Sequence, residues 1–394
     1  MGRELFTSAL VTKGYPDKIH NQISDIILDV FLKDDPESRL ACEVATTTDM
    51  IFIFEEISSN AAVNFAKIAG DVVRRIGHTS SKMGFDADTC SVVTAIGQQA
   101  CNISQGVNHS SDSGEIGVGD QGMVFGYACD ETHELMPLSI FLAHKFTQKL
   151  SDVRKNGEIA GLKPDGKMQV TIEYDDDKPI KVDTIVVFTQ YAPEIDMIEL
   201  KKLIFEKVVI PTIPFEYYEH GLKLYVNPTK CFEIGGAHEY SGLAGRKIIV
   251  DTYDGYSRHD GAFSGKAPAK MDRSVAYMAR YIAKNIVAAG IARRCEIQIS
   301  YTIGISNPIS IHVDTFGTSE HTNDIIKRIV ENVFDLRHGF IIDTLDLKRP
   351  IYTNIACYGH MGRTDIDLPW EKTDKIGEIH HELKIIMGTR TDRI

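Results

Sequence analysis

The segment Asp260–Ser274 reads D-G-A-F-S-G-K-A-P-A-K-M-D-R-S. Glycines 261 and 265 flank a small loop, Lys266 and Lys270 follow, and an apolar-periodic run begins at Asp272. Glycine lets a backbone approach a bulky anion, because no Cβ stands in the way. Lysine supplies a mobile ammonium for phosphate oxygens, and a carboxylate beside it can hold magnesium. The free N–H groups and dipole of the helix that starts here add to the attraction. The segment therefore reads as a polyphosphate loop at a loop-to-helix junction. It is not a P-loop, since Lys266 is followed by Ala267 rather than Ser or Thr. A solvated Lys/Gly turn would use the same letters, so the rest of the chain has to decide.

Outward from that junction the pattern is a helix (Asp272–Ala289), two strand-like runs (Cys295–Ile305 and Ile309–Phe316) and a helix (Asn323–Phe334). The same order occurs twice upstream. After a strand-like start at Glu4–Ser8, Pro16 opens a helix carrying Ile19, Ile23, Ile26, Ile27, Val30 and Phe31 at helical spacing. Ala41–Thr47 and Met50–Ile57 then form a hairpin across Thr48-Asp49, and Ala61–Ile76 is amphipathic. In the middle of the chain Pro137–Val153 is helical, Met168–Tyr174 and Ile180–Tyr191 form a hairpin, and Asp196–Val208 is helical. The spacing is too long for a solenoid. The fold class is therefore α/β (α+β), with three similar β-sheet/helix domains expected over 1–105, 116–233 and 234–394 and segments able to swap between them. Each hairpin offers one face to a helix layer. Glycine-rich connections lie at Gly106–Gly122 and Gly235–Gly245, the second leading into a strand at Arg246–Tyr253. The tail from Gly377 reads as helical or frayed.

The chain has 394 residues, 43% hydrophobic and 25% charged, as expected of a soluble globular protein. A net charge of −12 argues against a general nucleic-acid binder, which needs a cationic face. Against that acidic background Arg246, Lys247, Arg258, Lys266, Lys270 and Arg273 fall close together, which suits a small anionic ligand in a focused field. Seven scattered cysteines (42, 90, 101, 129, 231, 295 and 357) without C-x-x-C pairs fit a reducing cytosol. Cys42 and Cys295 read as buried thiols. The start of the chain lacks a signal peptide's apolar core, and no stretch approaches 18 consecutive apolar residues, so a cytoplasmic protein without a membrane partner is expected.

Four separated stretches set acids or cations beside glycine or proline: G-Y-P-D-K (14–18), G-V-G-D-Q-G (117–122), P-D-G-K (164–167) and G-R-K through D-G-A-F-S-G-K-A-P-A-K-M-D-R. Each is weak alone, and P-D-G-K is ordinarily a turn. Their order and wording together resemble the S-adenosylmethionine synthetase (methionine adenosyltransferase) family. The resemblance covers nearly the whole chain, including N-Q-I-S-D, V-R-K-N-G, G-R-K-I-I-V-D-T-Y, C-E-I-Q-x-S-Y and P-W-E-K-T-D-K. It implies three α/β domains about a pseudo-threefold axis, in homodimers or dimers of dimers with active sites between subunits. It also implies displacement of triphosphate from C5′ of ATP by the methionine sulfur, with magnesium and potassium, followed by cleavage of the triphosphate.

Residue by residue, the resemblance assigns Asp17 and Asp272 to magnesium and Glu43 to the potassium site. Lys167, Arg246, Lys247, Lys266 and Lys270 would surround the phosphates, and Asp120, Asp165 and Phe232 would lie about the nucleoside. Glu56, Gln99, Tyr240 and Ile303 would form the second-substrate pocket. Outside that resemblance, the acids are a helix-terminal residue, strand positions or turn residues, and Phe232 and Ile303 are core side chains.

The departures cluster near the transferred group. Tyr15 replaces the histidine expected to help triphosphate leave, and a phenol offers one hydrogen bond without imidazolium charge. The family's acids are missing at Ala9, Asn21, Asn102 and Tyr240; Phe54 and Glu55 replace small residues; Ala267 replaces an aspartate; and the loop before Ala262 is one residue shorter. Three readings follow: a divergent synthetase of S-adenosylmethionine, a paralogue using ATP with another or internal nucleophile, or a non-catalytic partner subunit.

Overall fold

The computed structural model describes residues 2–80, 85–98, 117–229, 232–238 and 241–391. The hairpins stand where alternation puts them, the first two longer than the sequence suggests and the third shorter: β2 (Arg39–Thr47) with β3 (Met50–Ser58), β8 (Leu162–Asp175) with β9 (Lys178–Tyr191), and β12 (Arg294–Tyr301) with β13 (Ser310–Asp314). Buried and half-buried residues alternate along β2, as one covered face requires.

Each hairpin is completed by a strand from elsewhere in the chain. β1 (Glu4–Val11) pairs antiparallel with β8, β7 (Gly122–Cys129) with β12, and β11 (Gly242–Leu243) with β2. The strand that opens each third of the chain thus joins the hairpin of another third, so the three-unit architecture is circularly interlocked. β6 (Ser91–Gln98) and β10 (Lys223–Val226) add parallel strands beside β3 and β9. A minor pair, β4 (Thr79–Ser80) and β5 (Phe85–Asp86), stands apart.

The first helix of each unit packs against a sheet: α1 (Pro16–Asp34) on β2, α3 (Leu138–Lys155) on β8 and β1, and the Met271–Ala288 helix on β7 and β12. Between them in sequence lie α2 (Phe65–Ile76), where Asn64 caps by accepting from Lys67 N, and α4 (Met197–Ile204), which Asp196 caps through Glu199 N. The tail is helical over Ile376–Thr391. Cys42 and Cys295 are buried thiols, neither of them in a disulfide. Among the described residues no helix is long and apolar enough to cross a membrane.

One expectation fails. Arg246–Tyr253 is not a strand: it holds a single helical turn, α5 (Ile248–Asp251). Its Ile-Ile-Val run has β propensity, but the neighbourhood overrides it. The turn puts Val250 and Asp251 in the interior, where Asp251 pairs with Lys18 and accepts from Asn21 Nδ2 at 3.2 Å. His144 Nε2 donates to the Val250 carbonyl at 3.2 Å, and His360 N to that of Asp251 at 3.0 Å.

Buried histidines make this interior sensitive to acid. Burial, helped by Arg154, Arg363 and Arg39 in turn, lowers the pKa of His78 to about 4, His144 to about 3 and His338 to about 4. Their unfolded value near 6.5 means that the unfolded chain takes the proton first. The stability they contribute is therefore complete above pH 6.5 and falls as pH drops toward the folded values. Each loses roughly 2 kcal/mol by pH 5. Burial raises the carboxyls of Asp29, Asp251 and Glu131, which act in the opposite sense and offset part of the histidine loss. Thermal scans should show Tm falling between pH 6.5 and 5, and a flat profile would contradict these protonation states.

Candidate active site

The site is built along one edge of β2. Cys42 N donates to Gly265 O at 3.0 Å and Ala267 N to Leu40 O at 3.1 Å. Further along, β11 pairs with Ala45 and Thr46, and Ala244 N donates to Val44 O at 2.8 Å. The two cation-bearing segments, 246–247 and 266–270, are thus docked on the same strand with Glu43 between their attachment points. Gly265 has φ +81°, and a Cβ there would lie 2.1 Å from the Cys42 carbonyl oxygen, so only glycine allows this approach. Its N–H donates to Asp25 Oδ1 at 2.8 Å, and the same carboxylate takes a two-pronged pair from Arg273 at 2.8 and 3.0 Å. Asp25 and Arg273 are both fully buried.

The first turn of α1 faces this edge. Tyr15 is its N-cap residue and Asp17 lies in the first turn, where the helix dipole favours a carboxylate. Asp17 accepts from Leu243 N at 3.0 Å and from Lys247 Nζ at 2.6 Å, with the Arg246 guanidinium 3.9 Å away. The Lys247 ammonium lies 5.1 Å from the Tyr15 ring centroid. Burial, then Asp17 and Asp165, raise the Tyr15 phenol above its ordinary range against the pull of Arg246, so it stays a neutral donor.

P-D-G-K lies beside this turn. It sits inside β8, at a register irregularity between Leu162 and Gly166, rather than in a free turn. A Cβ on Gly14 would meet Pro164 at 2.4 Å, and Thr12 Oγ1 donates to the Pro164 carbonyl at 2.7 Å. Asp165 is buried and accepts from Gly236 N at 2.8 Å, whereas Lys167 is exposed. Phe232 is buried and stacks on Phe188, ring centroids 4.6 Å apart.

At the other end, Lys266 pairs with Asp272, and Lys270 is the N-cap residue of the Met271–Ala288 helix. Burial raises the Glu43 carboxyl, opposed by the Lys266 charge. The structure thus brings Tyr15, Asp17, Glu43, Asp165, Arg246, Lys247, Lys266 and Asp272 around one strand edge and one helix start. Asp120 is exposed, its carboxylate accepting from Gln121 N at 2.8 Å. Glu56 is exposed on β3, and Ile303 is 52% exposed in the turn after β12. Gln99, Asn102 and Tyr240 lie outside the described residues.

Two further residues belong here. Asn21 accepts from Gly245 N and donates to Asp251, each at 3.2 Å; an acid in its place would face the Asp251 carboxylate. Asp254, at φ +47°, accepts from Ala9 N at 2.6 Å through a carboxyl raised by burial and opposed by the Lys167 charge. Its trace in the sequence is an Asp-Gly pair, which reads as a turn.

Among the described residues no three His, Cys, Asp or Glu side chains converge as a ready metal cage. Asp17 and Asp272 instead each stand beside a lysine. Magnesium commonly binds through one or two carboxylates and completes its shell with phosphate and water, so this donor set fits it.

The three family models of S-adenosylmethionine synthetase match consecutively: the N-terminal domain at residues 3–101, the central domain at 115–232 and the C-terminal domain at 234–372. The chain belongs to the S-adenosylmethionine synthetase family. It is 51% identical over 386 residues to the S-adenosylmethionine synthase of Clostridium tetani, covering 96% of this chain and 99% of that one. It is 53% identical over 382 residues to that of Desulfosudis oleivorans, covering 96% and 98%. As a member of the S-adenosylmethionine synthetase family it is a transferase of the methionine adenosyltransferase type. These likenesses give no support to an alternative nucleophile or a non-catalytic subunit.

Proposed function

We propose that the protein converts ATP, L-methionine and water to S-adenosylmethionine, phosphate and diphosphate. The observation that carries this reading is the pair of Lys–Asp contacts, Lys247–Asp17 and Lys266–Asp272, docked on one strand edge in a chain of this family. A neutral thioether is a modest nucleophile, so the barrier must fall through in-line positioning and stabilisation of the leaving triphosphate. The sulfur lone pair forms the S–C5′ bond as the C5′–O bond breaks, and the departing electron pair goes to the triphosphate oxygen.

In this reading Lys167, Arg246, Lys247, Lys266 and Lys270 hold phosphate oxygens, and Tyr15 donates a hydrogen bond toward the leaving oxygen. Asp165, Asp120 and Phe232 frame the nucleoside. Asp17 and Asp272 would hold magnesium, which would supply positive charge against the phosphates, and Glu43 would lie near the potassium site. Glu56, Gln99, Tyr240 and Ile303 border the methionine. Incubation with ATP, magnesium and potassium, with and without methionine, tests the reading by mass spectrometry. Methionine-dependent S-adenosylmethionine is expected; ATP left intact, or an adenosyl product formed without methionine, would contradict it.

Tyr15 sets the pace in this scheme. One oxyanion-type stabiliser is worth about 3–4 kcal/mol, of which a neutral phenol supplies a part. Tyr15→His should therefore raise kcat for S-adenosylmethionine formation about tenfold, with little change in the KM for ATP. An unchanged kcat would remove Tyr15 from the leaving-group position.

We also infer a cytoplasmic homodimer with the site closed by the second subunit. Phe52, Phe54 and Val93 are 38–44% exposed on paired positions of β3 and β6, an apolar face suited to a partner. The exposure of Glu56, Asp120 and Ile303 leaves one side of the site open in a single chain. Light scattering should give twice the chain mass of 43.9 kDa; a single-chain mass would exclude this arrangement.

A further inference from the structure

Away from β2, a cavity of about 490 Å³ opens where the loop before α1 meets the C-terminal ends of α2 and α3. Its charged lining is Lys13, Arg75, Lys155, Arg363 and Asp365. Arg363 spends its charge on Asp365, in a two-pronged pair at 2.7 Å on each side. Lys13, Arg75 and Lys155 have no carboxylate within ion-pair distance among the described residues; Lys13 lies 5.0 Å over the Tyr358 ring. Three unneutralised cations therefore face one hollow in a protein of net charge −12.

A cation in the last turn of a helix is ordinary, because the dipole favours it there, and Arg75 and Lys155 each hold such a position. That accounts for each one singly. It does not account for their convergence with Lys13, which no helix end requires. Burial, then Lys13, Arg154 and Arg75, lower the Lys155 pKa against the pull of Asp152, so Lys155 is repelled by Lys13 and Arg75 across the hollow. Such a cluster costs stability unless an anion compensates it.

We propose that this hollow is a second, non-catalytic binding site for a small phosphate-bearing anion, held by Lys13, Arg75 and Lys155. It is independent of the reaction proposed above. It adjoins the catalytic turn through Lys13, whose carbonyl accepts from Gln22 Nε2 at 2.9 Å and which lies two residues before Tyr15.

The test uses the full chain at low ionic strength, where such attraction is least screened. Inorganic pyrophosphate is titrated calorimetrically into a Lys266→Ala background, which weakens its binding at the catalytic loop. One pyrophosphate per chain is still expected. Lys155→Gln or Arg75→Gln in that background should lower its affinity at least tenfold. Because each substitution removes a repelling charge, the variants should unfold at the same or a higher temperature than the parent without ligand, and should lose the stabilisation that pyrophosphate gives it. A parallel titration with ADP separates sources: tighter binding of ADP assigns the site to a nucleotide, equal binding to the phosphate group alone. Pyrophosphate affinity within twofold of the parent in both variants, or no binding in the Lys266→Ala background, would overturn the proposal.

Discussion

Arg273→Leu should destabilise the protein by roughly 3–5 kcal/mol, the cost of leaving a buried charge without its partner. The guanidinium is fully buried, binds Asp25 through two nitrogens and donates to the Lys266 carbonyl at 3.1 Å. Asp25 in turn holds the N–H of Gly265. The pair therefore joins α1 to the lysine loop through the interior, and its loss reaches both. The double variant Asp25→Leu/Arg273→Leu separates the two effects. Replacing a whole buried pair by apolar side chains is commonly near neutral, so the urea midpoint should largely recover. Activity should not recover, because the Gly265 N–H loses its acceptor and the loop its anchor. If the single and double variants unfolded at the same midpoint, the uncompensated charge would not be the cause.

Lys266→Ala should lower kcat about a hundred- to a thousandfold, the loss expected for one group aimed at developing negative charge. Its fold should survive. The Lys266 side chain is 20% exposed, and its partner Asp272 retains access to water in the first turn of its helix. The expected signature is thus a large kcat loss with a nearly unchanged Tm. A large Tm loss with a modest fall in kcat would instead make Lys266 a structural lysine.

Much of this was legible in local pattern. Periodic isoleucines marked α1 and strand alternation marked the three hairpins, because each of these elements buries one face. The exchange of β1, β7 and β11 between thirds was not legible, since register with a distant strand leaves little local trace. The 246–253 segment is not the strand its letters suggest, because Ile-Ile-Val has one propensity and its interior partners impose another. Tyr15, Asp17 and the lysine loop could be named from their motifs. Asn21 stood out only as a missing acid and Asp254 not at all, because the role of each depends on a neighbour more than 200 residues away.

The central claim is that a nest of lysines and arginines on the β2 edge grips the triphosphate of ATP. A crystal structure with a non-hydrolysable ATP analogue and magnesium tests it most directly. The phosphates should lie within hydrogen-bond distance of Lys266 and Lys270, with the metal against Asp272 or Asp17. Phosphates found away from these residues, or only in the hollow beside Lys13, would contradict it.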